Sequence, residues 1–271
     1  MTTDTATAPH GDHRPRPGAA PLPRMIAAQA ALETRLLLRN GEQVLLTIVI
    51  PALLLLLFGT VDVVDLTDTA DTGAGGPVDF LAPGMLALAV LATSFTGQAI
   101  ATGFERRYGV LKRLGATPLP RWGLMAAKTC AVLVVQALQA ALLLTIALAL
   151  GWSPHGGPVG VPVVLVLLLL GTAAFSGLGL LMAGTLRAEA TLAAANLVFV
   201  LLLVGGGVVV PLSRFPEVVQ PVLHLLPISA LSEGLRQVLQ QGAGVPWDAL
   251  GVLAVWAAVA LAAAARFFRW E

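Results

Sequence analysis

The sequence has few charged residues and one cysteine. Among 271 residues only 11% are Asp, Glu, Lys or Arg, and 57% are hydrophobic, whereas an average soluble domain has about 25% charged residues. This deficit and a mean hydropathy of +0.85 place the chain among integral membrane proteins. Because Cys130 is the single cysteine, an intramolecular disulfide is excluded.

Several motifs that carry chemistry are also missing. The phosphate-binding pattern G-x-x-x-x-G-K-[ST] is absent, so this chain does not bind ATP by that route. No Asp, Glu, Lys or Arg lies in the central part of an apolar run, although ion-coupled carriers usually need such a group at mid-membrane. No Ser/His/Asp or histidine cluster indicates catalysis or a metal site. A protein without an energy-coupling group of its own is expected to take its energy from a partner.

Long apolar runs are what the sequence has instead. Within the run at 44–61, Pro51 predicts a kink. Within the run at 190–210, the glycines at 205–207 predict that the helix bends or ends there. Lys128, near one end of the run at 124–151, is expected to extend its side chain to the lipid headgroups. Six transmembrane helices are predicted, at 44–61, 81–103, 124–151, 159–183, 190–210 and 248–265.

The distribution of basic residues gives the orientation. With six spans and both termini in the cytoplasm, fourteen of the sixteen Lys and Arg residues lie on the inside, and only Arg214 and Arg236 lie outside. Such a bias favours this topology. The acidic 62–79 segment is then an outer loop. Residues 1–21 are predicted to be a disordered cytoplasmic tail, and 22–271 a single membrane domain.

Two segments are amphipathic without being long enough or apolar enough to cross a bilayer. Residues 22–40 are interrupted by charge and are predicted to form an interfacial helix. In 211–245, prolines separate two pieces, at 216–226 and 228–241, that are too short to span. These pieces are predicted to be re-entrant helices that enter the outer half of the protein and turn back.

The segment between the second and third spans is short and strongly basic. Six of the sixteen Lys and Arg residues lie between Arg106 and Lys128, so it is expected to stay in the cytoplasm. Gly115 and Thr117-Pro118 predict a helix stop and a turn. Residues 104–114 are therefore predicted to form one helix of about three turns, lying at the membrane surface and touching another molecule. The alternative is a basic loop that only sets the topology.

A set of short motifs is informative about the family. They are Glu105-Arg106-Arg107-Tyr108-Gly109, Leu111-Lys112-Arg113-Leu114, Ala116-Thr117-Pro118-Leu119, Pro211-Leu212-Ser213, Phe215-Pro216, Leu226-Pro227 and Leu235-Arg236. In these motifs the chain resembles the membrane subunits of type-2 ABC exporters, a permease family that includes antibiotic-resistance efflux proteins of actinobacteria, and the resemblance covers about 23–265. Leu38-Arg39-Asn40 is a weaker match, since the family more often has Pro where Gly41 stands.

The resemblance implies roles for the basic segment. Residues 104–115, including Gly109, would be the coupling helix, which docks in a groove of a separate cytoplasmic ATPase. Its polar contacts would be Glu105, Arg106, Arg107, Lys112 and Arg113, and its apolar anchors Tyr108, Leu111 and Leu114. The 211–241 region would close the exit.

The resemblance also implies partners, cargo and place. The partners would be a dimer of the ATPase, which carries ATP and Mg²⁺, and a second copy of this chain or a sister permease. This chain would bind membrane lipid but no cofactor and no nucleic acid. The apolar, weakly polar surfaces of the spans suit a hydrophobic or amphipathic cargo, such as a drug or antibiotic, and leave a lipid or glycan open. The resemblance implies that this cargo is moved out across the plasma membrane.

Two other classes remain open from the residues. A secondary carrier or channel would need no ATPase, and transport driven by a proton gradient without ATP would identify it. A membrane sensor or assembly factor would transport nothing, and the lack of an adjacent ATPase gene would favour it. An intramembrane enzyme has almost no residue support.

Overall fold

The computed structural model describes residues 20–60 and 77–268, and within them the chain is helical. Residues 1–19, 61–76 and 269–271 lie outside the described part, and with them the predicted tail and most of the acidic loop. The helices are α1 (Leu22–Arg39), α2 (41–60), α3 (Pro77–Arg107), α4 (Val110–Gly115), α5 (Arg121–Ala149), α6 (Gly157–Thr185), α7 (Ala188–Gly205), α8 (Gln220–His224), α9 (Pro227–Leu239) and α10 (Trp247–Phe267).

In the described residues, five helices are long and apolar enough to cross a membrane: α3, α5, α6, α7 and α10. They correspond to the second to sixth predicted spans, so the prediction of a helical membrane protein is confirmed. The first predicted span lies in α2, whose apolar part is the shorter Thr47–Thr60. The count of six spans therefore stays a prediction.

The helix α2 contains a break in its hydrogen-bond ladder at the predicted position. Pro51 has no N–H with which to reach the carbonyl of Thr47, four residues earlier. That carbonyl accepts a hydrogen bond from Nε2 of Gln139, at 2.7 Å, and 45–49 form a π-helical turn. A side chain of α5 thus satisfies the backbone group that the proline leaves without its usual helical partner.

The centre of the bundle is α3, whose most apolar window is entirely buried. It includes a second π-helical turn, 91–97, and it begins four residues earlier than predicted. Asp79, which we expected in the outer loop, is instead a buried residue of its first turn. The prediction was wrong because Pro77 and Asp79 are themselves helix-start residues, a proline at the first position and an acid near the positive end of the dipole.

The helices α6 and α10 pack closely against each other, and small residues allow it. At Gly177 an added Cβ would lie 2.8 Å from the backbone of Ala260 and Leu261, closer than two helices tolerate. Small residues at such a contact let two helices approach closely.

Gly177→Ala is expected to lower the free energy of unfolding by about 1–3 kcal/mol, because backbone of α10 must move to admit the methyl group. Thermal unfolding in lipid nanodiscs measures the effect. Gly251→Ala is the matched control, since nothing lies within 4 Å of its added Cβ, and alanine there is expected to stabilise α10 by up to about 1 kcal/mol. Equal melting temperatures for the two variants would contradict the tight packing.

The segment from the end of α7 to the end of α9 differs from its prediction. As expected, α7 ends at Gly205, and Gly207 takes a left-handed conformation, with φ +65°. The prediction of a helix over 216–226 is wrong, since only Gln220–His224 is helical. The prolines at 216 and 221 disfavour helical backbone in the residues before them. The 228–241 piece corresponds to α9, which starts at Pro227.

Arg236 holds α9 against the start of α3. We expected its charge on the outer surface, but the side chain is buried. Its Nε donates to the Phe80 carbonyl at 3.2 Å and its Nη2 to the Val208 carbonyl at 2.9 Å, while the guanidinium carbon lies 3.7 Å from the Phe80 ring centroid. Burial lowers the pKa of Arg236 to about 9, and the charge of Glu233 offsets part of this shift. The guanidinium therefore stays protonated at neutral pH.

Candidate functional site

The basic segment forms two helices joined at a glycine, so the prediction of one continuous helix over 104–114 is wrong. The helix α3 ends at Arg107, and Gly109 has φ +69°. In this left-handed conformation its N–H bonds to the carbonyl of Arg106 at 3.1 Å. Such a residue caps a helix and turns the chain, and glycine takes it without a Cβ penalty. The turn lets α4 leave the axis of α3.

One side of α4 is fixed to the protein. Leu111 is 1% exposed, so the side chain that we expected to dock in a partner packs inside this chain. Leu114 is half-buried. The Leu114 carbonyl at the end of α4 accepts both the Thr117 N–H, at 3.0 Å, and the Thr117 hydroxyl, at 2.6 Å, so this carbonyl at the helix end is satisfied. The short helix is thus anchored by its own apolar face.

The other side of α4 faces outward. Tyr108 is 66% exposed, and its ring stacks on Phe104 with centroids 6.1 Å apart. Lys112 and Arg113 are exposed, and so is Val110, which sequence reasoning had not selected. We call Arg107, Tyr108, Val110, Lys112 and Arg113 the basic surface.

Two arginines at the end of α3 connect it to the segment between α6 and α7 and to the first turn of α7. A guanidinium nitrogen of Arg106 donates to the carbonyl of Leu186. Arg107 pairs with the carboxylate of Glu189, and its guanidinium also lies 5.9 Å from the Tyr108 ring centroid. The Arg107 pair is exposed on both sides and so contributes about 0–1 kcal/mol, but it fixes which element lies beside the basic surface.

Glu105 belongs to a buried ion cluster that the sequence did not reveal. Nζ of Lys128 lies 2.7 Å from a carboxylate oxygen of Glu105 and 3.1 Å from one of Glu33. The lysine side chain is 5% exposed, so the prediction that Lys128 reaches the headgroups is wrong. Gln29 also donates to Glu33, at 2.9 Å. We call Glu33, Glu105 and Lys128 the charge triad; it joins α1, α3 and α5.

The nine predicted residues therefore divide by position. The basic surface contains four of them, Arg107, Tyr108, Lys112 and Arg113. Glu105 lies in the charge triad, Arg106 contacts the segment between α6 and α7, and Leu111 and Leu114 face the protein. Gly109 sets the angle between the helices. The sequence analysis did not select Glu33, Lys128 or Glu189 as site residues. For the charge triad a signal was available, because a lysine inside an apolar run indicates a buried partner.

A second feature is a lateral cleft of about 220 Å³ between α2, α3 and α7. Both π-helical turns contribute to it, through Thr47 of α2 and Thr96 of α3, and Asn196 faces them from α7. Gln139 connects the two turns, since its Nε2 bonds to the Thr47 carbonyl and its Oε1 accepts from the Thr93 hydroxyl at 2.9 Å. The remaining lining is apolar: Ile50, Ala92, Gly97, Ile100, Leu192 and Phe199, with Asn40 at one end.

Five helices long and apolar enough to cross a membrane, one of which is the buried central α3, define a multi-pass helical membrane protein. A family model described as ABC-2 type transporter matches residues 27–239, most of the chain, and the chain belongs to that family. No curated protein matches it. The chain is therefore a permease subunit of an ABC transporter in the cell membrane.

Proposed function

We propose that this chain is the permease of an ATP-driven exporter and that the basic surface is where a separate ATPase dimer docks. Members of the family usually work with an ABC ATPase subunit. ATP and Mg²⁺ bind that partner and not this chain. The observation that carries the proposal is the arrangement of α4 and the turn before it: Leu111 is buried, whereas Tyr108, Lys112 and Arg113 are exposed.

The basic surface has the properties of a docking site. An exposed aromatic ring flanked by arginine is typical of residues that dominate binding energy at interfaces. Lys112 and Arg113 are suited to steer an acidic groove towards it. Because α4 is packed through Leu111 and capped at Thr117, it is ordered before docking, so binding loses little entropy there.

A movement of α4 has routes into the membrane domain. The charge triad links the end of α3 to α1 and α5, and Arg106 and Arg107 link it to the turn before α7. Closure of the ATPase dimer on nucleotide would displace α4, and these contacts would carry the displacement. The access of the transport route changes only if nucleotide favours one of the two states.

The proposed topology has six spans, with α2 as the first and both termini in the cytoplasm. The basic surface then lies inside, as Lys and Arg near spans do. In α1, Glu33 faces α5 while Leu32 and Leu36 are exposed, an arrangement that suits a helix lying in the membrane interface. On the opposite side, α8 and α9 are the re-entrant pair, and residues 22–271 form one membrane domain.

The proposed cargo is hydrophobic or amphipathic. The lateral cleft has apolar walls with a few amide and hydroxyl groups, which is the usual lining of small-molecule sites. The exposed apolar faces of α2 and α7 beside it would contact a second copy of this chain or a sister permease, so that two clefts enclose one route. Drugs, antibiotics, lipids and glycans all fit this description.

Tyr108→Cys, in a Cys130→Ala background, is expected to crosslink to the ATPase subunit in membranes, because position 108 is exposed in the centre of the basic surface. Leu111→Cys is the matched control: it lies three residues further along the chain but is buried, so little crosslink is expected. Immunoblotting for the joined species measures both. Equal crosslinking at 108 and 111, or none at 108 with the ATPase bound, would contradict the docking proposal.

The same variant tests the orientation. A membrane-impermeant thiol reagent is expected to label Tyr108→Cys only in inverted vesicles, whereas Val218→Cys, at an exposed position between α7 and α8, is expected to react in intact cells. Labelling of position 108 from the external medium would overturn the topology.

A further inference from the structure

We propose that a small cavity between α1, α3 and α5 binds at least one water molecule, which joins the charge triad to the amide groups deeper in the membrane. The cavity leaves about 20 Å³ for water centres, and one water needs about 10–15 Å³ on that measure. Its polar walls are Glu33, Thr93, Gln98, Thr102 and Lys128.

Two side chains in this wall have polar atoms without partners. Gln98 is 5% exposed and Thr102 is 1% exposed. Among the described residues, neither Oε1 nor Nε2 of Gln98 has a hydrogen-bond partner, and the Thr102 hydroxyl has none. Buried polar groups are satisfied by protein or ordered water in the great majority of cases. An amide and a hydroxyl that face one cavity give a water the two to four partners that it requires.

Water fits these groups better than a cation does. Gln98 presents a free donor as well as a free acceptor, and the Lys128 ammonium forms part of the wall. A cation would meet both the amide N–H groups and the ammonium with the wrong sign. Water accepts from the amide nitrogen and donates to the amide oxygen, so it satisfies both ends of Gln98.

The bound water completes a polar row through the inner half of the protein. At one end, Lys128 contacts Glu33 and Glu105. At the other, the Thr93 hydroxyl, which also faces the cavity, donates to Gln139. Water-mediated contacts are nearly as favourable as direct ones, and a water exchanges partners without leaving an amide unpaired. This stretch of α3, which leads directly to the basic surface, can therefore shift against α5 while its buried groups stay satisfied.

Radiolytic hydroxyl-radical labelling of the full-length protein in lipid nanodiscs tests the site, because radicals formed from a bound water modify the side chains beside it. Val132 lines the cavity at 3% exposure, and Val135, one turn further along α5 at 4% exposure, does not. We expect Val132 to be modified well above Val135, in Na⁺ and in choline buffer alike. Equal modification of the two valines, or labelling at Val132 that depends on Na⁺, would overturn the proposal.

The double variant Gln98→Met, Thr102→Val removes the partners of the water at nearly constant volume. We expect the labelling of Val132 to fall to the level of Val135, and the melting temperature to stay the same or fall. If the cavity were dry, the variant would remove unsatisfied polar groups, so a higher melting temperature would count against the site. Unchanged labelling at Val132 would do so as well. Should this variant not fold, the valine comparison in the native protein still decides.

Discussion

Lys112→Glu combined with Arg113→Glu is expected to abolish transport and to weaken ATPase binding by about 100-fold. Both side chains are exposed, and reversing their charges places carboxylates against a groove that is complementary to cations. Like-charge contacts at an interface cost several kcal/mol, and about 2.7 kcal/mol corresponds to 100-fold in affinity. Affinity is measured with the purified subunits in nanodiscs, and transport by uptake into inverted vesicles at fixed ATP.

The design separates docking from folding. Because the variant carboxylates lie in the last turn of α4, they cost its helix about 0.3–1 kcal/mol each through the dipole, and Leu111 still anchors it. The matched control is Arg24→Glu with Arg266→Glu, which makes the same change of charge at exposed residues of α1 and α10 outside the basic surface. Equal loss of transport in both double variants would mean that inner-face charge, and not the basic surface, matters.

Most spans were predictable because an apolar run of membrane length has few alternatives. The positions at which helices begin and end were predicted less well, although the sequence contains helix-start and helix-end residues there. Pro77 and Asp79 are start residues for α3, and Gly109 is the residue type that ends a helix in the left-handed conformation. In both places the prediction followed hydrophobicity or charge over a long window, whereas a local backbone preference set the boundary.

The candidate site was predictable as a basic segment but not as a surface. A spacing of three residues would place Tyr108 and Leu111 on one face of a continuous helix. Because the chain turns at Gly109, Tyr108 is instead exposed and Leu111 is buried. The charge triad depends on contacts 95 and 23 residues apart in sequence, and no local pattern encodes such a pairing. A lysine in an apolar run indicates only that a compensating group exists.

Lys128→Met is expected to have the largest effect on stability, lowering the free energy of unfolding by about 3–5 kcal/mol. Methionine fills similar space but leaves the carboxylates of Glu33 and Glu105 without their shared cation, and removing one partner of a buried ion pair costs that much. Because whole domains have only about 5–15 kcal/mol of stability, little folded protein is expected at 37 °C. Thermal unfolding in nanodiscs and the yield of monodisperse protein measure the effect.

The triple variant Lys128→Met, Glu33→Gln, Glu105→Gln distinguishes a buried charge cluster from a packing defect. Neutral amides do not need the ammonium, so its stability is expected to recover most of what Lys128→Met loses, since buried ion pairs replaced as a unit are often near neutral. Transport is not expected to recover, because α1 and α5 lose their ionic link to the base of α4. An exposed ion pair typically contributes less than about 1 kcal/mol. If Lys128→Met alone changed the free energy of unfolding by less than that, the lysine would be in contact with solvent and the charge triad would not join α1, α3 and α5.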